Sequence, residues 1–269
     1  MVLFPPAKIN IGLFITEKRP DGFHALETCF VQIPWNDILE ITPAPKFLFS
    51  SSGLPISGSV ATNLCVRAYE LLKKDFSLAP VHIHLHKIIP MGAGLGGGSS
   101  DAAYTLMGLR DVFELPLSNE DLVPYAQQLG SDCAFFLFNQ AQFGQGKGDE
   151  LSPISLSLKG YFVLLAYPNF GISTQQAYAQ VKPKPAPFFL PDAISLPMNS
   201  WKTQINNDFE ESLFPSYPLL EQMKKEMYSL GAEYAAMSGS GSTMFGIFKQ
   251  KIDPPEGWAD FPTWSGFIS

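Results

Sequence analysis

Cysteine is scarce in this chain of 269 residues, which contains only Cys29, Cys65 and Cys133. Their number is odd and no Cys-x-x-Cys spacing occurs, so the sequence indicates neither a disulfide framework nor a zinc site. We therefore expect all three cysteines to be plain buried side chains.

Positively charged residues are also few: the chain has 18 lysines and arginines, compared with 25 aspartates and glutamates, and its net charge is -7. No surface-wide positive field is then available for nucleic acid, although a local pocket for a small anion is compatible with this balance. No apolar run approaches the roughly 20 residues of a membrane span, and the opening "MVLFPPAKINIGLFI" lacks the basic region of a signal peptide. These absences predict a cytoplasmic protein that binds neither nucleic acid nor membrane.

The sequence does contain strand and helix patterns in mixed order, which is typical of an α+β fold. Apolar residues in alternation or in short runs predict strands at residues 8–19, 25–33, 37–45, 47–53, 81–90, 160–168 and 243–248. Helical spacing predicts helices at residues 63–76, 99–113, 118–130 and 217–232. Asn63 and Ser118 suit the N-terminal caps of two of these helices, and the proline-rich residues 182–197 indicate a surface connection.

The pattern restarts after Gly146 and Gly148 with "GYFVLLAYP", a continuous apolar strand of the kind buried on both faces. This restart predicts two domains, residues 1–153 and 154–269.

The stretch "PMGAGLGGGSSDAA", Pro90 to Ala103, joins a predicted strand to a predicted helix and holds five glycines. Glycine lets backbone N–H groups approach a ligand closely at a helix N-terminus, a geometry that suits phosphate. Ser99 and Ser100 could cap the helix, donate to phosphate oxygens or contact a magnesium ion, and Asp101 favours the helix dipole. The alternative is a flexible linker whose serines only cap the helix. No lysine follows the last glycine, so this is not a P-loop, and the repeated βαβ context of a dinucleotide site is missing.

With its flanking strand and helix, this stretch resembles the central motif of the GHMP kinases, the superfamily named for galactose, homoserine, mevalonate and phosphomevalonate kinases. "PAKINIGLFI" and "MSGSGSTMFGIF" agree with two further motifs of that family in order and spacing. The resemblance implies a two-domain α+β fold, with an N-terminal domain like domain 2 of ribosomal protein S5 and a ferredoxin-like C-terminal domain. It also implies ATP as the phosphoryl donor, with Mg²⁺ carried mainly by the ATP phosphates.

The stretch "PAKINIGLFITEKRPDGFHALET" narrows the resemblance to GHMP kinases of the non-mevalonate route to isoprenoid precursors. Their substrate carries a cytidine diphosphate group, so we expect phosphorylation of the 2-hydroxyl of 4-diphosphocytidyl-2-C-methyl-D-erythritol. "LGSDCAFFL", "GQGKGDEL" and "YPNFGISTQQAY" also agree, and the resemblance covers essentially the whole chain. The alternatives are another GHMP kinase, acting on homoserine, mevalonate or a sugar, and a catalytically silent nucleotide-binding member.

By this resemblance, Asp132 is the general base toward the substrate hydroxyl and Lys8 stabilises the developing charge. Without it, Asp132 would be a helix cap and Lys8 a solvent-facing strand residue. The nucleotide-binding residues that it implies are Asn63, Lys87, Pro90, Gly92, Gly94, Leu95, Gly96, Gly97, Gly98, Ser99 and Ser100. Asn63 could equally be a helix cap and Lys87 a solvated strand end.

The implied substrate-binding residues are Asn10, Phe23, His24, Asp132, Thr174, Tyr178, Gly239 and Ser240. Phe23 and Tyr178 would stack on cytosine, and His24 would hydrogen-bond its edge. The family often has tyrosine at the position of Phe23. The glycine-rich run of residues 238–243 would close over the active site, although an ordinary tight turn would account for the same sequence. Asp101 and Ser99 are the candidate Mg²⁺ ligands.

His82, His84 and His86 alternate along one predicted strand and therefore share a face. Imidazoles in that arrangement could chelate a metal. A polar sheet face explains the same pattern, and the resemblance implies no metal site there.

Overall fold

The computed structural model describes residues 1–268, which form two compact units. The first unit comprises residues 1–7, 32–91 and 96–139, and the second comprises residues 8–31, 92–95 and 140 onward. The chain thus passes between the units several times, and the division after residue 153 stays a prediction about sequence-continuous domains.

The described residues contain twelve strands. They are β1 (Val2–Leu3), β2 (Pro6–Lys18), β3 (His24–Asn36), β4 (Ile38–Pro43), β5 (Leu48–Gly53), β6 (Val81–Lys87), β7 (Gln142–Gln145), β8 (Glu150–Pro153), β9 (Phe162–Ala166), β10 (Tyr234–Met237), β11 (Met244–Phe248) and β12 (Thr263–Phe267). The same residues contain eight α-helices. They are α1 (Leu64–Phe76), α2 (Gly97–Val112), α3 (Asn119–Leu129), α4 (Thr174–Gln180), α5 (Leu190–Ile194), α6 (Trp201–Gln204), α7 (Asp208–Leu213) and α8 (Pro218–Ser229).

The first unit is built on a four-stranded sheet in the order β1-β4-β6-β5, in which only β5 runs parallel to its neighbour. Alternate residues of β6 are buried, as the sequence pattern predicts for a strand with one apolar face. The helix α2 packs against this sheet at Gly108, where an added Cβ would lie 2.6 Å from Leu3 and 2.7 Å from Ile41. A close helix-to-sheet contact therefore sets the position of α2.

The second unit holds an antiparallel sheet in the order β10-β11-β9-β12. Its apolar face packs on α8, with Met223 and Met227 fully buried beside Leu164 and Ala166. A third sheet, in the order β2-β3-β7-β8, belongs mostly to the same unit. The α+β class that the sequence predicts is confirmed.

Local signals in the sequence located most of these elements. Asn63 caps α1 by accepting a hydrogen bond from the Cys65 N–H at 2.9 Å. Ser118 caps α3 and forms a capping box with Asp121. The helix α2 begins at Gly97, two residues before the predicted start, with Gly96 as its N-cap.

The prediction of a surface connection at residues 182–197 is wrong for its middle part. There, α5 begins with Leu190 and has a proline at its first turn, and it buries Leu190, Ala193 and Ile194. Later in the chain, β12 pairs antiparallel with β9. Among residues 1–268, no helix combines the length and apolar character needed to cross a membrane.

Candidate active site

In the second unit, Gly94 is the point at which the three sequence motifs meet. Its carbonyl oxygen accepts hydrogen bonds from Lys8 Nζ at 3.0 Å and from Ser238 Oγ at 2.8 Å. Gly94 has φ +78° and a Cβ added there would lie 2.0 Å from the Ser238 carbonyl oxygen, so only glycine fits. The N-terminal, central and C-terminal motifs are therefore in direct contact, although 86 residues separate Lys8 from Gly94 and 144 separate Gly94 from Ser238.

Lys8 begins a chain of buried hydrogen bonds that orients its ammonium group. Its Nζ donates to Asn10 Oδ1 at 2.6 Å, and Asn10 Nδ2 donates to Thr28 Oγ1 at 3.0 Å. Thr28 in turn donates to the Gly12 carbonyl at 2.6 Å. Lys8 and Asn10 share a strand face, as their spacing predicts. Thr28 was missed by the sequence reasoning, and a threonine amid the apolar residues of β3 is the signal that could have found it.

Asn207, a second residue that the sequence reasoning missed, supports the backbone of the C-terminal motif. Its Nδ2 donates to the Met237 and Gly239 carbonyls, both at 2.8 Å, and its side chain caps α7. A Cβ on Gly239 would lie 3.2 Å from Lys8 Nζ, so this turn lies directly against the lysine. The following Ser240 belongs to the same turn. An ordinary surface turn would not be expected to bury Asn207 and Ser238, as this one does.

In the first unit, the start of α2 presents the other part of the glycine motif. The N–H groups of the first turn of a helix lack partners within the helix and attract anions. Gly97 and Gly98 open this turn, and Ser99 and Ser100 follow; Ser100 Oγ is buried and has no hydrogen-bond partner among the described residues. The turn thus offers backbone donors and hydroxyl groups, as the phosphate hypothesis requires.

Lys87 lies beneath this turn instead of at a solvated strand end. Its Nζ is 2.7 Å from Asp101 Oδ2 and 2.5 Å from Asp37 Oδ2, and all three side chains are buried. Burial raises the pKa of Asp101, although the Lys87 ammonium opposes this shift. Burial alone would lower the pKa of Lys87, but the two carboxylates raise it. Sequence reasoning missed Asp37, which lies between two strands and looks like a turn residue.

Asp132 lies in the first unit, two residues after Gly130, the C-terminal cap of α3. The short 3-10 helix that follows is capped by Cys133, so Asp132 is not its cap residue. A Cβ added to Gly130 would lie 3.4 Å from Cys133 Sγ and 3.9 Å from Ser99 Oγ, so the turn that carries Asp132 lies beside the first turn of α2. The structure therefore brings the predicted base close to the predicted phosphate-binding turn.

The predicted base-recognition residues cluster in the second unit. The rings of His24 and Tyr178 stack with centroids 4.8 Å apart, and Tyr178 meets Phe209 edge-on at 4.9 Å. Thr174 lies one helical turn before Tyr178 on α4 and is exposed. Burial, followed by the charge of Lys18, lowers the pKa of His24.

Phe23 is 59% exposed, and Lys147 Nζ lies 5.2 Å from the centre of its ring. One face of Phe23 is therefore in contact with a cation, and the ring is accessible for stacking.

The three alternating histidines on β6 form a hydrogen-bonded ladder with β5. Ser50 bonds His82 and His84, and Ser52 bonds His84 and His86, at 2.7–2.9 Å. Within residues 1–268, no group of three histidines, cysteines or acids is arranged to hold a metal ion. A polar sheet face accounts for the pattern.

Comparison with known proteins gives two family matches. Residues 63–140 match the GHMP kinases N terminal domain, and residues 192–261 match the GHMP kinases C terminal domain. A 4-diphosphocytidyl-2-C-methyl-D-erythritol kinase of Bacteroides fragilis is 54% identical over 92% of each chain. The enzyme of the same name from Cytophaga hutchinsonii is 51% identical over 93% of each chain.

Among solved structures, a crystal structure of 4-(cytidine 5'-diphospho)-2C-methyl-D-erythritol kinase superposes with a TM-score of 0.82. It is 29% identical, and the match covers 99% of this chain and 98% of that one. The family resemblance that the motifs indicate is thus confirmed over nearly the full length.

Proposed function

This chain belongs to the 4-diphosphocytidyl-2-C-methyl-D-erythritol kinases, a family of GHMP kinases, and from that premise we propose which of its residues carry the reaction. The reaction transfers the γ-phosphoryl group of ATP to the 2-hydroxyl of 4-diphosphocytidyl-2-C-methyl-D-erythritol, in the non-mevalonate route to isoprenoid precursors. The observation that best supports the proposal is the contact of Lys8 and Ser238 with the Gly94 carbonyl.

The glycine motif binds the ATP phosphates in this proposal. Backbone N–H groups from Gly96 to Ser99 at the start of α2 face the phosphate oxygens, since the Ser100 N–H already donates to the Gly96 carbonyl. Residues 90–95 complete the cradle. Asn63 uses Oδ1 to cap α1, so its contact with adenine is made through Nδ2. The helix dipole adds to the attraction for a multiply charged phosphate.

Asp132 and Lys8 act on the acceptor hydroxyl. As the 2-oxygen forms its bond to the γ-phosphorus, the Asp132 carboxylate accepts the hydroxyl proton, and ADP departs with the electrons of the broken P–O bond. Lys8, held in orientation by Asn10 and Gly94, stabilises the negative charge that develops on that oxygen. Gly239 and Ser240 close this site from the C-terminal motif.

Phe23, His24 and Tyr178 recognise the cytosine. A base that inserts between two aromatic rings needs about 7 Å between them, twice the stacking distance. The 4.8 Å stack of His24 on Tyr178 therefore opens when the substrate binds, unless cytosine occupies the exposed face of Phe23. His24 then hydrogen-bonds the base edge, and Thr174 lies beside Tyr178 to contact the ribose or base.

Mg²⁺ would be held at this site mainly by the phosphates of ATP. Asp101 is buried and its Oδ2 is occupied by Lys87, whereas Ser99 is only partly buried. The hydroxyl of Ser99 and water would hold the cation together with the phosphates, and a bound Mg²⁺ neutralises phosphate charge during transfer. A cytoplasmic location stays a prediction.

The substrate assignment is tested by measuring ADP release with four acceptors: 4-diphosphocytidyl-2-C-methyl-D-erythritol, galactose, homoserine and mevalonate. We expect ATP-dependent turnover with the first alone, and a phosphate on its 2-oxygen by ³¹P NMR. Turnover with only one of the other three would refute the assignment.

The role of Asp132 is tested by Asp132→Asn, which keeps the shape of the side chain and removes its basicity. We expect kcat to fall by about 10²–10⁴-fold, while the affinity for ATP stays nearly intact. Asp111→Asn, the same change at an exposed acid of the same unit, is the matched control. Full turnover in Asp132→Asn would mean that the hydroxyl proton goes elsewhere.

A further inference from the structure

Lys87 is the last residue of β6, and its side chain is 1% exposed. Its ammonium group is bound by Asp37 Oδ2 at 2.5 Å and Asp101 Oδ2 at 2.7 Å. Moving this ammonium out to a ligand would leave two carboxylates buried without a counter-charge, which is strongly unfavourable. The contacts of Lys87 are therefore those of a fixed internal group.

Asp37 uses its other oxygen to fix the segment that leads into the glycine motif. Its Oδ1 accepts the backbone N–H groups of Ile88 at 2.6 Å and Ile89 at 2.9 Å. These two residues immediately precede Pro90. The same carboxylate thus binds Lys87 and determines where the glycine motif begins.

Lys87 in turn fixes the segment in which the glycine motif ends. A Cβ added to Gly97 would lie 2.9 Å from Lys87 Nζ, so the ammonium lies directly beneath the first residue of α2. Asp101, one turn further along α2, is bound to the same atom. Only glycine at position 97 allows this approach of helix backbone to ammonium.

We propose that Asp37, Lys87 and Asp101 form a positioning cluster that holds both ends of the glycine motif, and that Lys87 promotes ATP binding through this motif and not by touching the nucleotide. This proposal rests on the proposed function, since it assigns the motif to the ATP phosphates. A shift of roughly 1 Å in groups that position a substrate can cost up to about a hundredfold in rate. Cluster variants should therefore weaken ATP binding specifically.

Four variants test the cluster: Lys87→Met, Asp37→Asn, Asp101→Asn and the double variant Lys87→Met/Asp101→Asn. We measure KM for ATP, KM for the cytidine substrate and kcat, and we determine the dissociation constant of ATP by titration without acceptor. Leu72→Ala, which creates a cavity in α1 away from the motif, is the control for lost stability. All variants are assayed well below their melting temperatures.

We expect Lys87→Met and Asp37→Asn each to raise KM and the dissociation constant for ATP by about tenfold or more, with the KM for the cytidine substrate unchanged. Asp101→Asn alone should have less effect, because its amide oxygen still accepts from Lys87 and one carboxylate still balances the ammonium. Adding Asp101→Asn to Lys87→Met should recover part of the lost ATP affinity by removing the surplus buried carboxylate.

Two results would overturn the proposal. If Lys87→Met changes ATP binding no more than Leu72→Ala does, the cluster serves stability alone. If Lys87→Met weakens ATP binding while Asp37→Asn does not, and the double variant recovers nothing, Lys87 contacts ATP directly. Failure of the substrate assignment would look different. The unmodified protein would then not phosphorylate the cytidine substrate, while the cluster variants would still bind ATP more weakly than it does.

Discussion

Lys8 and Lys87 are both buried, and the hydrogen bonds that hold them differ. Lys87 donates to the carboxylates of Asp37 and Asp101 in the first unit. In the second unit, Lys8 donates to the amide oxygen of Asn10 and the carbonyl of Gly94. Both lysines lie next to residues of the glycine motif, yet their surroundings suit them to different tasks.

The difference teaches how the same side chain is made structural or reactive. Two carboxylates compensate the charge of Lys87 and fix it in place, so its effect on a ligand must pass through the backbone that it holds. The Asn10 amide oxygen and the Gly94 carbonyl orient Lys8 at the point where the three sequence motifs meet, which suits a group that must respond to charge developing on a substrate. We therefore expect Lys87 to matter more for stability and Lys8 more for turnover.

The largest effect should be on stability, in Lys87→Met. We expect this change to lower the free energy of unfolding by about 3–5 kcal/mol, because it leaves buried carboxylates without their partner. We expect Lys8→Met to lower it by about 1–3 kcal/mol, because the Asn10 and Gly94 oxygens lose the donor that they accept from. Urea unfolding followed by circular dichroism measures both. Equal losses would show that the two environments do not differ in the way proposed.

The second prediction concerns turnover, for which Lys8 should matter more than Lys87. Lys8→Met should lower kcat by about 10²–10³-fold, as the loss of one group that stabilises transition-state charge does, with KM for ATP nearly unchanged. Steady-state ADP release gives both constants, and Lys159→Met, at an exposed position of the same unit, is the control. A rise in KM for ATP at constant kcat would assign Lys8 to nucleotide binding instead.

Sequence reasoning located Lys8 but understood Lys87 only in part, and the reason is physical. Lys8 belongs to a continuous sequence motif, so the family resemblance was enough to predict its role. The role of Lys87 depends on Asp37, 50 residues earlier, and on burial that no local pattern encodes. Asp37 itself follows "PWN" and has the composition of a turn, where an acid is ordinarily solvated.

The fold shows the same division between local and distant causes. The caps Asn63 and Ser118 were predictable, because a cap bonds to backbone within three residues. The short strands β7, β8 and β10 were not predicted, because four residues carry little periodicity and their pairing partners lie elsewhere in the chain. The helix α5 was missed since its prolines and brief length resemble a connection, and its burial is a tertiary property.

A smaller contrast separates two fully buried threonines: Thr28, which bonds the Asn10 side chain, and Thr105, which bonds the Asp101 carbonyl. Thr28→Val removes the hydroxyl that bonds both Asn10 and the Gly12 carbonyl, so Lys8 loses its support. We expect kcat to fall by about tenfold, equivalent to one hydrogen bond of 1–1.5 kcal/mol. Thr105→Val removes only a second bond to the Asp101 carbonyl, which remains bonded within α2. It is the matched control, with kcat within about twofold of the unmodified enzyme.

If Thr28→Val leaves kcat unchanged, the orientation of Lys8 does not depend on this chain of hydrogen bonds. A similar fall in Thr105→Val would place the kinetic effect in general packing. Either result would remove the distinction between the surroundings of the two lysines.

The last contrast concerns charge at the edge of the base-recognition cluster. Two carboxylates raise the pKa of Lys87, whereas burial and then Lys18 lower the pKa of His24. A lowered pKa keeps the imidazole neutral to a more acidic pH than an ordinary histidine with a pKa of about 6.5. If the neutral ring is the form that binds cytosine, KM for the cytidine substrate stays constant near neutrality and rises as pH falls through that lowered pKa, by up to about tenfold per pH unit. In His24→Gln, which keeps an amide donor and acceptor but does not titrate, this rise should vanish. A rise that persists in the glutamine variant would come from another group, and His24 would then contribute shape to the site without controlling its pH dependence.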